Sequence, residues 1–263
     1  MIIDFHTHTF PDKLAEKTLK NLSVASGGIP PCYNGTEDGL RAHLKECGVD
    51  YGVVLNISTT ARHQNSVFEF AKQMNHGNLV GFSGLNQDCT DVLEWLEKIK
   101  ESGIKGIKLH PDYQEFYVND DKMLKIYEKI AELGLITVFH SGTDIGMSPP
   151  TRCTPKALAE VLPVFKDAPV VAAHFGGYVM WQEVLDHLVG KKAYLDTSFS
   201  CGRIPVNMAK LIIEKHGADK ILLGSDMPWS DISDEIKFIK NLGLTEEQEK
   251  LILGENARKL LNI

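Results

Sequence analysis

Histidine and aspartate residues stand in this sequence where apolar segments end. The first such segment is "MIIDFHTH", in which apolar residues lead into His6 and His8. Because side chains alternate between the two faces of a β-strand, we expect both imidazoles to point the same way. Neutral imidazole nitrogens bind divalent metals near pH 7, so the pair indicates a metal site. Two unrelated surface histidines are the alternative for this motif taken alone.

Other chemically active residues occupy equivalent positions further along the chain. His110, His140, His174 and Asp226 each lie at the end of a predicted strand. The carboxyl ends of parallel barrel strands form one rim, which carries the active site in barrel enzymes. We therefore expect these residues to meet at one site. The remaining histidines lie in helical patterns and are interpreted as surface or packing residues: His43, His63, His76, His187 and His216.

Eight apolar segments alternate with helical patterns along the chain. The predicted strands cover residues 1–8, 51–58, 79–86, 104–110, 135–140, 169–177, 193–199 and 221–229. Several are continuous apolar runs, as expected of parallel strands buried on both faces. Their number and order predict a (β/α)8 TIM barrel, a fold that commonly takes about 250 residues. A doubly wound open sheet is the rival, but it more often carries a glycine-rich phosphate turn after its first strand.

Helix signals fit the same alternation. Thr154 followed by proline predicts a helix start, and Thr245 with Gln248 forms a capping-box pattern. A helix is expected over roughly residues 61–75. Residues 9–38 form a long connection with space for one short helix, which is either a lid over the end of the first strand or a disordered insertion. No stretch resembles an interdomain linker, so we expect one domain over residues 1–263.

Composition narrows the classes of function. The formal net charge is −7, without a block of basic residues, which disfavours a general affinity for nucleic acid. The N-terminus lacks the pattern of a secretory signal, and no apolar run is long enough to span a membrane. The five cysteines are scattered, as expected of reduced thiols in the cytoplasm. The expected partner is a small-molecule substrate, and a homodimer is left open.

Several motifs resemble those of a known family. "DFHTHTF" at the start, "VFH" on strand five, "AAHFGG" on strand six, "GSDMPW" on strand eight and the closing "LILGENARKLLNI" are similar to the amidohydrolase superfamily. More closely, they resemble the amidohydrolase-related branch that includes aminocarboxymuconate semialdehyde decarboxylase. The resemblance runs through the whole chain. It is specific for the superfamily but not for a substrate.

The resemblance implies a set of roles. His6, His8, His140 and Asp226 would bind one divalent ion, for which zinc is the first choice and Mn, Fe, Co or Ni are alternatives. The metal would activate a water molecule, and Asp226 would accept its proton and later deliver it to the leaving group. His174 would hold that water or polarise the scissile carbonyl, or else orient the ligands.

Strand four departs from several relatives. Binuclear members carry a carboxylated lysine or a glutamate there, and a related nuclease branch carries a glutamate. This chain has Lys108 and His110 on one face and no carboxylate, which weakens the nuclease interpretation. Carboxylation of Lys108 stays open. His110 is expected to contact substrate, and Arg152 and Arg203 either pair with a substrate carboxylate or are solvated surface residues.

The sequence therefore predicts a metal-dependent hydrolase that cleaves an amide, a lactone or a related C–O or C–N bond of a small molecule. A non-oxidative, metal-dependent decarboxylase of a small unsaturated or aromatic acid is the first alternative. A catalytically silent barrel that binds a metal or a ligand is the second.

Overall fold

The computed structural model describes residues 1–263 and contains eight parallel strands in one sheet, ordered as they occur in the chain. The strands are β1 Ile3–Thr7, β2 Tyr51–Leu55, β3 Leu79–Gly84, β4 Gly106–Leu109, β5 Ile136–Phe139, β6 Val170–Ala172, β7 Tyr194–Asp196 and β8 Ile221–Leu222. Hydrogen bonds also join the first strand to the segment after the last. The amide of Phe5 donates to the carbonyl of Leu223 over 2.8 Å, and the amide of His8 donates to Met227 over 2.7 Å. The predicted (β/α)8 barrel is confirmed.

Helices connect the strands and follow the last one. They are α1 Asp12–Ala25, α2 Glu37–Glu46, α3 Gln64–Gln73, α4 Val92–Glu101, α5 Pro111–Gln114, α6 Asp121–Leu133, α7 Pro155–Val161, α8 Trp181–Glu183, α9 Val206–His216, α10 Ile232–Lys240, α11 Glu246–Lys250 and α12 Asn256–Leu261. Both predicted start signals are confirmed: the Thr154 hydroxyl accepts from the amide of Ala157, and Thr245 and Gln248 form a capping box. No helix has the length and apolar character needed to cross a membrane.

Strands β6 and β8 are much shorter than predicted. The apolar segments 169–177 and 221–229 continue past each strand, because the loops that follow are themselves buried. Ala173 and Phe175 after β6, and Leu223 and Met227 after β8, have no exposed surface. Apolar character therefore marked burial correctly in these segments, but burial did not require strand geometry.

The connection over residues 9–38 contains more helix than predicted. Helix α1 is 14 residues long and buries Ala15 and Leu19 against the rest of the molecule. Phe10, Leu22 and Ser26 line the cavity at the carboxyl end of the barrel. The connection therefore contributes part of the cavity wall, and its action as a lid stays a prediction.

The strands pack two sets of buried side chains. A cluster of 12 buried residues includes Phe5, Val53, Phe82 and Val138 from the strands, together with Leu261 of α12. A larger cluster of 49 buried residues joins the strands to the surrounding helices. The pairing of β1 with β2 shifts register between Asp4 and Thr7, an irregularity that includes His6 and precedes His8.

Candidate active site

Three polar side chains converge where β1 and β8 end. His6 lies in the irregular stretch of β1, His8 follows that strand, and Asp226 lies in the loop after β8. Oδ1 of Asp226 is 3.3 Å from Nε2 of His6 and 3.1 Å from Nε2 of His8. One ligand atom from each of the three residues fits within a 4.8 Å group. The structure therefore brings three of the four predicted metal ligands together.

Groups behind the two rings determine which nitrogen faces the centre. Nδ1 of His8 lies 2.8 Å from the carbonyl oxygen of Leu55, which can only accept a hydrogen bond. Nδ1 of His6 lies 2.8 Å from Oδ2 of Asp196, a carboxylate that stays ionised because the neighbouring histidines outweigh burial and lower its pKa. In its neutral form, each ring therefore carries its proton on Nδ1 and presents an unprotonated Nε2 to Asp226.

In this arrangement three hydrogen-bond acceptors face one another: Nε2 of His6, Nε2 of His8 and Oδ1 of Asp226. Burial and the nearby Lys108 amine lower the pKa of His6 to about 4, so its ring is neutral at pH 7. His8 and His6 outweigh burial and hold the pKa of Asp226 below its usual value, so its carboxylate is ionised. Two nitrogen lone pairs and a carboxylate oxygen repel one another unless a cation lies among them. The three residues thus fit a divalent metal.

Lys108 is fully buried beside this group. It projects from β4, and its Nζ lies 3.2 Å from Nε2 of His6. Its exposed fraction is 1%, and burial lowers its pKa to about 8 although the neighbouring carboxylates of Asp196 and Asp226 raise it. Strand four therefore supplies an amine at the centre and no carboxylate.

His140 and His174 form a second layer of the site. Nδ1 of His174 donates to the carbonyl of Ser198 over 3.1 Å, so its Nε2 is unprotonated. That nitrogen accepts from Nδ1 of His140, also over 3.1 Å. The buried Nε2 of His140 consequently carries a lone pair, and it has no hydrogen-bond partner. His140, the fourth predicted ligand, thus has a free donor atom, although this atom does not belong to the group around Asp226.

Beside this layer, His110 and Asp144 complete another possible set of ligands. Nδ1 of His110 accepts from the amide of Tyr113, so the neutral ring carries its proton on Nε2, which lies 3.3 Å from Oδ2 of Asp144. The rings of His110 and His140 stack at 4.1 Å, and Nε2 of His140 is 3.9 Å from the same carboxylate oxygen. His110, His140 and Asp144 therefore form a second group that could hold a metal.

The backbone is strained at two of the predicted catalytic residues. His174 has φ of 61° and Asp226 has φ of 70°, both in the left-handed region that side chains other than glycine rarely adopt. Such strain costs roughly 1–3 kcal/mol and concentrates at functional sites. Both residues follow a short strand, and the turn directs each side chain toward the cavity.

The cavity has aromatic walls and few charges. Its aromatic lining residues are Phe10, Tyr113, Tyr178, Phe199 and Trp229. Arg152 and Arg203 do not line it. Arg152 lies 3.8 Å from the carboxylate of Asp112, and the guanidinium of Arg203 stacks on Phe199 at 3.6 Å from the ring centre. The structure thus brings His110 to the site but leaves both arginines outside it, and their contact with a substrate stays a prediction.

Sequence reasoning missed two carboxylates at this site. Asp196 ends β7 and supports His6, and its position at a strand end was a signal comparable to that of Asp226. Asp144 lies in the loop after β5, among residues without periodicity, and offered no such signal. A further carboxylate, Asp4, accepts from the amide and the hydroxyl of Ser225 at 2.9 and 2.6 Å, deeper in the barrel.

One protein-family profile and several solved structures are similar to this chain. The profile of the amidohydrolase family matches residues 3–263. No curated protein sequence matches the chain. Solved structures do: 5-carboxyvanillate decarboxylase from Sphingomonas paucimobilis is 15% identical, with a TM-score of 0.76 and coverage of 100% of this chain and 99% of that one.

Two further structures show the same fold. A protein from Pseudomonas putida assigned as a 2-pyrone-4,6-dicarboxylic acid hydrolase is 19% identical, with a TM-score of 0.70 and coverage of 99% of this chain and 97% of that one. A dihydroxybenzoic acid decarboxylase from Polaromonas, solved with manganese, is 15% identical, with a TM-score of 0.72 and coverage of 99% and 96%. At these identities the similarity establishes a shared fold.

Proposed function

Because the chain belongs to the amidohydrolase family, we propose that it is a metal-dependent hydrolase of a small, uncharged molecule with an amide, lactone or related C–O or C–N bond. The observation that carries the proposal is the convergence of the unprotonated Nε2 atoms of His6 and His8 on the carboxylate of Asp226, at 3.3 and 3.1 Å. A divalent cation among these atoms would make that arrangement favourable for neutral rings.

His6, His8 and Asp226 would hold the metal, with His140 as the proposed fourth ligand through its unpartnered Nε2. A divalent metal in such a site supplies a Lewis acid that polarises a carbonyl and makes water more acidic. Nitrogen and carboxylate donors suit zinc, our first choice, and also manganese, iron, cobalt or nickel.

The chain's own residues divide the remaining work. Asp226, ionised at neutral pH, accepts a proton from the attacking water at its carboxylate and returns it to the leaving group. His174 fixes the tautomer of His140 through their 3.1 Å hydrogen bond. The aromatic walls exclude water and bind the apolar part of the substrate.

The charges around the cavity favour an uncharged substrate. Asp144 and Asp226 contribute carboxylates to the lining, whereas Lys108 contributes the one amine. Lys108 is held against His6, and no arginine lines the cavity. A substrate carboxylate near Asp144 would be repelled, because like charges a few ångströms apart in a buried site are strongly unfavourable.

Decarboxylation of a small unsaturated or aromatic acid is the second candidate, and Lys108 is the observation that favours it. A protonated Lys108 amine could attract a carboxylate toward the metal-binding residues. Two structural relatives are decarboxylases of aromatic acids, and the aromatic lining would suit such a ring.

A substrate screen on protein of known metal content separates the candidates. The zinc-loaded protein is supplied with neutral lactones and amides and, in parallel, with aromatic and enoic acids while CO2 is measured. We expect hydrolysis of a neutral compound and one tightly bound ion per chain. CO2 release without hydrolysis would replace the first candidate by the second.

The Asp144→Asn variant provides the matched test of charge. If Asp144 excludes anions, the variant should accept carboxylate-bearing analogues at least several-fold better than the parent protein, with neutral substrates little changed. Two equivalents of metal in the active parent protein would contradict the mononuclear site and implicate His110, His140 and Asp144 in binding.

A further inference from the structure

A separate cluster of metal-binding side chains lies outside the cavity. It consists of Cys32 in the connection between α1 and α2, His43 on α2, and Asp231 at the start of α10. One ligand atom from each, a sulfur, a nitrogen and a carboxylate oxygen, fits within a 4.8 Å group. None of the three lines the active-site cavity.

The carboxylate of Asp231 is already oriented. Its Oδ1 accepts from the amide of Ser233 at 2.8 Å and so caps the N-terminus of α10. Its Oδ2 lies 3.1 Å from Nε2 of His43. One carboxylate oxygen therefore caps the helix, and the other lies beside the imidazole and could bind the same metal ion.

A backbone hydrogen bond fixes the position of Cys32. Its amide donates to the carbonyl of Pro228 over 2.8 Å, which attaches this segment to the loop before α10. The Sγ atom has only a weak contact, 3.8 Å from the carbonyl of Ser230. Burial, followed by the charge of Asp231, raises the pKa of the thiol to about 12, so a cation is required to form the thiolate.

We propose that Cys32, His43 and Asp231 bind a zinc ion through Sγ, an imidazole nitrogen and Oδ2. Sulfur, nitrogen and oxygen donors are the protein ligands of zinc, and three of them leave one position of a tetrahedron. Binding releases the thiol proton to solvent, and the thiolate and the carboxylate then balance the charge of the ion. Solvent can fill the fourth position, because the side chains of His43 and Asp231 are 16% and 30% exposed.

The position of this site gives it a structural role. The segment that carries Cys32 also holds the chain just after β1. The Tyr33 hydroxyl donates to the carbonyl of His8. The amide of Phe10 and the hydroxyl of Thr9 both donate to the carbonyl of Gly35, in each case over 2.8 Å. A zinc ion would attach this segment to α2 and α10. It would thereby stabilise the backbone next to His8 without contacting substrate.

Cobalt substitution distinguishes this site from the active site. Cobalt bound to a thiolate gives a charge-transfer absorption in the near ultraviolet, whereas the histidines and aspartate of the active site contain no sulfur. The titration uses full-length His8→Ala protein, in which the active site is disabled, and compares it with the same protein carrying Cys32→Ser, Asp231→Asn or Cys201→Ser. Asparagine retains the helix cap, and Cys201 is a half-buried thiol outside the cluster.

We expect the thiolate band to appear in the His8→Ala background and with Cys201→Ser, to vanish with Cys32→Ser, and to need at least tenfold more cobalt with Asp231→Asn. Zinc should raise the melting temperature of the background protein but not of the Cys32→Ser form. A band that survives Cys32→Ser, or no band at saturating cobalt in the background protein, would overturn the proposal. Neither result depends on enzymatic turnover, so the proposed hydrolase function is tested separately.

Discussion

His140 donates a hydrogen bond from Nδ1 to Nε2 of His174 across 3.1 Å. The direction is fixed because His174 must use its own Nδ1 proton for the carbonyl of Ser198. His140 therefore keeps an unprotonated, buried Nε2. The two residues act together: His174 fixes the position of the His140 proton, and thereby leaves Nε2 of His140 free to bind a metal.

Replacement of His174 by asparagine tests this pair. Asparagine is too short to reproduce both hydrogen bonds, so His140 loses the partner that fixes its tautomer. We expect metal to be retained and turnover to fall by at least tenfold, as measured by elemental analysis and kcat on one preparation. His63→Asn, at an exposed histidine outside the cavity, is the control and should match the parent protein. A metal-free His174→Asn protein would instead make His174 a ligand.

Asp226 should be required for more than metal binding. Asp226→Asn preserves size and shape but removes the basic oxygen. General acid–base catalysis contributes typically 10²–10⁴-fold, so turnover at saturating metal and substrate should fall at least about 100-fold. Excess metal should not restore it. Near-normal turnover in the metal-loaded variant would leave Asp226 as a ligand without a role in proton transfer.

Asp196 should control metal affinity through His6. Its carboxylate accepts from Nδ1 of His6 at 2.8 Å and so keeps Nε2 unprotonated. Loss of such a partner typically weakens metal binding by about 10–100-fold, which we expect for Asp196→Asn in competition with a chelator. Asp167→Asn, at a surface side chain that is 99% exposed, should leave affinity unchanged. An unchanged affinity in Asp196→Asn would contradict the assigned tautomer.

Glu235, which lies outside the active-site cavity, predicts a pH dependence of stability. Burial raises its pKa from 4.5 to about 8, against the hydrogen bonds from the amide of Cys201, the Ser230 hydroxyl and the amide of Ser200. The folded protein therefore holds a proton that the unfolded chain releases above its lower pKa. The contribution is fully present below about pH 4.5 and is lost as pH rises toward about 8.

The free energy of unfolding should thus fall between about pH 5 and 8, by at most about 1.4 kcal/mol per pH unit from this group. Glu235→Gln removes the titration, so its free energy of unfolding, measured by urea denaturation at several pH values, should vary less over that range. An identical slope in the two proteins would show that Glu235 is ionised throughout.

The barrel itself was predictable from local patterns. Parallel strands covered on both faces must be apolar throughout, and each turn or cap signal separates one such segment from the next. The strand ends were less predictable, since the loops after β6 and β8 are as buried as the strands. Hydropathy reports burial and does not distinguish a strand from a buried loop with left-handed residues.

The candidate site was predictable only where it depends on strand ends. His6 lies in β1, His8 follows it, and Asp226 lies in the short loop after β8, so the closed sheet brings the three residues together. The placement of Asp144 depends on how the loop after β5 folds back over His110, which has no periodic signal. Arg152 and Arg203 carried suitable chemistry but lie on loops whose direction the sequence does not determine.

The contact of His8 with Asp226 spans 218 positions of the chain. A metal at that point would join the first strand of the barrel to the segment after the last strand, and so would help to close the ring of strands. Its loss should loosen the whole ring instead of one loop, so amide hydrogen exchange should quicken in all eight strands together. A metal that joined two loops within one half of the barrel would slow amide hydrogen exchange in that half alone.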